Sequence, residues 1–111
     1  MDSETKKTSA FLTKTFESFK KLNEDAEENV SSLDAVHSIK VAAFFSVAAE
    51  NATVFHEAAQ SEDPNILGLL IDIDTEFRKC ANMDFFDVVE VYHHDENKRK
   101  KALALASRTL G

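Results

Sequence analysis

A chain of 111 residues with nine Phe, no Trp, two Gly and one Pro is large enough to bury a single core without metals or crosslinks. Its few turn-formers suit long helices joined by short connections. The formal charge is -7. Residues 94–111 hold five Lys/Arg against two acids, leaving +3 there and -10 on residues 1–93, which argues against a nucleic-acid surface.

Along the chain, the start MDSETKK lacks an apolar signal core, and the strictly apolar runs, such as Val41 to Phe45, are far too short to span a membrane. Leu12, Phe16, Phe19, Ala26 and Val30 recur at three- and four-residue spacing or its multiples, predicting a first helix from about Ser9 to Val30. Ser31 and Ser32 interrupt it, and the order Ser31, Ser32, Leu33, Asp34 reads as a helix start. The second stretch, Leu33 to about Gln60, is the most apolar and is expected to sit centrally. Unbroken, at ~1.5 Å per residue, it would be about 40 Å long. SEDPN at 61–65 ends it, with Asp63 as cap and Pro64 in the first turn of the next helix. Ile66, Leu69, Leu70, Ile73, Phe77 and Cys80 form a third stripe. Asn82 and Met83 turn the chain, and Phe85, Val88, Val89, Tyr92, Leu103, Ala106 and Leu110 mark a fourth helix.

These elements predict a single all-α domain over residues 1–111, an antiparallel four-helix bundle with long, unequal helices. An apolar stripe longer than its neighbours can cover continues into a partner chain, so a homo-oligomer is one expectation. Cys80 cannot form an intrachain disulfide and is read as a small apolar core residue in a reducing, cytoplasmic setting.

The polar clusters are weighed next. His93, His94, Asp95 and Glu96 are all metal-ligand types, but adjacent helical side chains point about 100° apart and one ion cannot easily hold them. A solvated histidine pair is the simpler reading, and His56–Glu57 has the same fault. Asp72, Asp74 and Glu76 alternate like calcium ligands but lack the loop glycine, and read as a charged helix face. Lys98 to Lys101 are read as a solvated face or a contact for an anionic partner. No phosphate loop, nucleophile elbow, zinc pattern or nucleotide fingerprint is present, so neither a metal nor an organic cofactor is expected. The Phe stripes are read as core ahead of an apolar ligand cavity.

One motif carries chemistry. His37, Ser38, Ile39, Lys40, Val41, Ala42 and Ala43 resemble the phosphorylated-histidine motif of histidine-containing phosphotransfer domains, in which His, any residue, Leu or Ile, Lys and Gly precede small residues. Val41 and Val47 stand where that family has glycine, and His56–Glu57 falls where many members have a His-Glu pair. The resemblance covers about residues 10–81. It implies a four-helix bundle relaying phosphate between receiver domains, with His37 as phosphoacceptor, Lys40 as phosphoryl stabiliser and a receiver domain as protein partner. An imidazole attacks an aspartyl phosphate, and a cation one turn away steadies the phosphoryl group. A straight helix centred on Leu33, Phe44, Val47, Phe55 and Ala58 puts His37 inside the buried stripe at ~100° per residue. Burial of Val36, Ile39, Ala42 and Ala43 instead turns His37 and Lys40 outward, and needs a change of face near Phe44 and Phe45. The competing function is a noncatalytic helical interaction or scaffold module.

Overall fold

The computed structural model describes residues 3–28, 33–81 and 83–110, without the side chains of residues 4, 25–28, 33–39, 80, 109 and 110. Among the described residues the regular structure is entirely helical, in six helices: α1 (Ser3–Glu28), α2 (Leu33–Glu50), α3 (Ala52–Ala58), α4 (Pro64–Ala81), α5 (Phe85–His94) and α6 (Glu96–Leu110). The molecule measures 45 × 32 × 22 Å. Its long axis is close to the length of α1, about 39 Å at ~1.5 Å per residue.

Two of the four expected helices are divided. The second stretch breaks at Asn51, where φ is -117° and ψ is 24°. The Asn51 side-chain amide and backbone N–H both donate to the Val47 carbonyl at 3.1 Å. This is the competition by which a short polar side chain unsettles a helix interior. The fourth divides at Asp95, whose extended backbone ends α5 while its carboxylate accepts from the Lys98 N–H at 3.1 Å and starts α6. The bend or change of face that an outward His37 would need near Phe44 and Phe45 has no break to supply it, since α2 runs continuously through both.

The start of α4 is as expected. Pro64 is its first residue, and Asp63 accepts from the Asn65 N–H at 2.9 Å. Helix α1 begins six residues before the predicted Ser9, because the polar turns ahead of it contain no breaker. The expected serine cap at 31–32 and the turn residue Asn82 lie outside the described residues.

The core is aromatic. Helix α1 packs along α4, α2 along α6 and α3 against α5, and their Phe side chains meet in the middle. Phe85 is the hub, with ring centroids 5.0 Å from Phe55, 5.1 Å from Phe77 and 6.1 Å from Phe19. Phe44 continues the cluster, 4.2 Å from Phe19. Leu12, Ile66, Leu70, Ile73 and Val89 are fully enclosed around it. The Phe stripes are read from the sequence as core, and Phe19, Phe44, Phe55, Phe77 and Phe85 are buried in it. Val54 is 39% exposed, because at about 100° per residue it lies at the edge of the face that buries Ala52, Phe55 and Ala58.

Candidate functional site

Among the described residues, the core leaves an apolar face of the helices uncovered. Helices α5 and α6 meet at a single-residue junction, Asp95, and a groove of about 910 Å³ is lined by both of them and by α2. On α5 it is lined by Asp84, Asp87, Val88, Val91 and Tyr92, and on α6 by Lys98, Lys101, Ala102, Leu105 and Ala106. Both sets follow the i, i+3, i+4, i+7, i+8 spacing of one helix face. Val41, Ala42 and Phe45 of α2 form the floor. Leu105, Met83 and Val91 are 63%, 45% and 44% exposed at its edges, so large aliphatic surface meets water here rather than protein.

Helix α2 carries apolar residues around nearly its whole circumference, as a central helix must. Phe44, Ala48 and Ala49 enter the core, while Val41 and Phe45 face the groove. The predicted site stands at the start of this helix. The His37 side chain lies outside the described residues. Lys40, one residue before the groove-lining Val41, is half-buried and forms no ion pair among the described residues.

The groove's position is fixed from α4. Asp74 accepts from the Phe85 N–H at 2.9 Å and from Arg78 Nε at 2.8 Å. Arg78 also donates to Asp84 at 2.7 Å, and Asp84 caps α5 by accepting from the Phe86 N–H at 2.8 Å. The two carboxylates push the Arg78 guanidinium pKa above its ordinary value, Asp74 contributing most. Asp74 is therefore no member of a solvated charged face. Glu76, expected on the same face, is 5% exposed, ion-paired to Lys79 at 2.7 Å. Its backbone carbonyl accepts from the Asn23 amide of α1 at 3.0 Å.

A second constellation joins α3 to α5. His56 Nδ1 lies 2.6 Å from Glu90 Oε1, and His94 Nε2 lies 3.2 Å from Glu90 Oε2. The His56 and His93 rings stack with centroids 3.9 Å apart and planes 12° from parallel. Gln60 donates to His56 Nε2 at 2.9 Å, which selects the tautomer whose Nδ1–H faces Glu90. The bond from His56 is the main cause of a Glu90 carboxyl held below its ordinary pKa. His93, read from sequence as half of a solvated pair, is thus partly enclosed, with its Nδ1 buried and unpartnered among the described residues. Among the described residues no group of three or more His, Cys, Asp or Glu side chains is arranged to hold a metal ion, and no helix is long and apolar enough to cross a membrane.

Sequence reasoning missed the groove. The available signal was Val91 and Leu105, two large aliphatics that belong to neither core stripe of the fourth segment. No known protein family, curated protein or solved structure matches the chain, so its function is argued from this geometry alone.

Proposed function

We propose that the chain is a noncatalytic helical interaction module whose binding surface is the groove between α5 and α6. The observation that carries this reading is an apolar trough of about 910 Å³ with Met83, Val91 and Leu105 left exposed along it. Apolar surface gathered in one concave face gains free energy when a partner removes it from water. In the same reading the six helices are four segments, α1, α2–α3, α4 and α5–α6, two of them broken, arranged as a four-helix bundle. The lone Cys80 supports a reducing, cytoplasmic setting. An apolar fluorescent dye tests the groove. The folded wild type should enhance its emission, and Leu105→Glu with Val91→Lys should abolish the response without lowering the melting temperature. A wild type that leaves the dye unchanged refutes the groove as a binding surface.

A phosphohistidine relay is the second reading, supported by Lys40, which forms no ion pair among the described residues and stands three residues after His37 on one helix. In that role His37 would accept phosphate from a receiver aspartate and Lys40 would steady it. Incubation with a set of phosphorylated receivers should then label the wild type and leave His37→Ala unlabelled. Equal label on both, or label on neither, removes this reading.

A further inference from the structure

The two walls of the groove carry opposite charge. On the α6 wall, Lys98 and Lys101 line the trough and neither makes an ion pair among the described residues. Their neighbours Arg99 and Lys100 are different, since both reach Glu96, at 3.6 and 3.5 Å. On the α5 wall, Asp84 is taken up by Arg78 and by its own cap. Asp87 is exposed and without an ion pair among the described residues. The trough therefore presents an apolar floor, two cations along one side and a carboxylate on the other, none of them ion-paired among the described residues. The facing stretch of α6, from Lys98 to Ala106, is about 12 Å long at ~1.5 Å per residue, or two turns of a docked helix.

We propose that the groove takes an amphipathic α-helix of a partner protein, its apolar stripe flanked by acidic residues on one edge and basic residues on the other. This inference rests on the groove being the binding surface. The acidic edge lies against Lys98 and Lys101, and the basic edge against Asp87. An anionic amphiphile fits less well, because a single head group answers one wall and leaves Asp87 beside an uncharged tail. A helix satisfies both walls at once, as flanking charges do in paired helices. The charge segregation also fixes direction: turning the helix end for end exchanges its edges and sets like charges against like.

The test uses designed helical peptides of about 14 residues, long enough to cover the ~12 Å wall with a turn to spare at each end. One peptide has a Leu/Phe stripe with Glu on one edge and Lys on the other. A second has the same composition with both charges mixed on each edge. Binding to the full chain is followed by fluorescence anisotropy at low and high salt. The segregated peptide should bind about five- to ten-fold more tightly at low salt, an advantage that salt erodes. Lys98→Glu with Lys101→Glu should abolish the preference while retaining binding of the mixed peptide, which shows that the variant is folded. Equal affinities insensitive to salt overturn the charge-sorted partner and leave the groove reading intact, as does dye binding with no peptide binding. Failure of dye and peptides alike overturns both. A dimer of the chain that Leu105→Glu converts to monomer assigns the groove to a second copy, and displacement of a prebound peptide by a fatty acid alone assigns it to a lipid. Either result overturns the helical partner.

Discussion

Replacing Asp74 by Ala should cost about 2–3 kcal/mol of folding stability. The Asp74 carboxylate is 16% exposed and divides its oxygens between two jobs. Oδ1 accepts the Phe85 N–H at 2.9 Å, at the point where α5 enters the core, and Oδ2 accepts from Arg78 Nε at 2.8 Å. Loss of Oδ1 leaves a partly buried backbone donor without its charged acceptor, a penalty of about 1–3 kcal/mol. Loss of Oδ2 costs less, because Arg78 is 51% exposed and a solvated ion pair contributes only about 0–1 kcal/mol. The two jobs can be separated. Asp74→Asn keeps an oxygen for Phe85 and should cost about 1 kcal/mol or less, while Arg78→Ala should also stay below about 1 kcal/mol. The double variant Asp74→Ala/Arg78→Ala should fall short of the sum of its parts, since both share one network. Urea denaturation followed by far-UV circular dichroism, with unchanged slopes, reads all four values. An Asp74→Ala cost below about 0.5 kcal/mol, or an Arg78→Ala cost equal to it, would show that the Phe85 amide does not depend on this carboxylate.

Phe85→Ala should cost about 3–5 kcal/mol and Phe86→Ala less than half as much, because Phe85 is fully buried among four rings and Phe86 packs only at the cluster's edge. The Glu90 carboxyl is held below its ordinary pKa of 4.5 by His56. The folded state thus binds its proton less readily than the unfolded state, and this stabilisation is present above the ordinary value and lost as pH falls through the lowered one. Melting temperature against pH should therefore fall less steeply on the acid side in Glu90→Gln, and parallel curves would refute the bridge. Burial raises the Tyr92 phenol above its ordinary value of 10.0, so its contribution is present below that value and lost as pH rises through the raised one. Tyr92 is the chain's single tyrosine and there is no Trp, so tyrosinate absorbance follows this group alone. Its midpoint should rise further when a peptide fills the groove, and a midpoint unmoved by a bound peptide would place that peptide elsewhere.

Features written into a few adjacent residues were legible from the sequence. Asp63 and Pro64 start α4 through a bond that spans two residues, and the Ile66, Leu70, Ile73 and Phe77 stripe is buried as its spacing requires. The two breaks were harder for different reasons. Asn51 looks like any exposed polar residue of a long helix until its side chain is seen to take the Val47 carbonyl. Asp95 held a readable cap signal, but it sits among polar residues where a continuous helix looks equally reasonable. Asp74, Glu90 and His56 owe their roles to partners 11 or 34 residues away, and no local pattern announces such pairings. The groove depends on the second break, since its two walls are the helices on either side of Asp95.

The basic run shows how a local pattern becomes a site once the helix is placed. Read as a block, Lys98, Arg99, Lys100 and Lys101 suggest one positive face. On a helix, successive residues turn by about 100°, so the run is divided. Arg99 and Lys100 reach back to Glu96, while Lys98 and Lys101, three residues apart, share the groove wall with Ala102, Leu105 and Ala106. Half of the charge is thus balanced within α6, and the other half borders apolar surface. Cations held beside an uncovered apolar stripe gain more from a partner that brings both carboxylates and aliphatic side chains than from one that brings only charge. For that reason the anionic contact suggested by composition becomes, in three dimensions, the charged edge of the groove proposed as the binding surface.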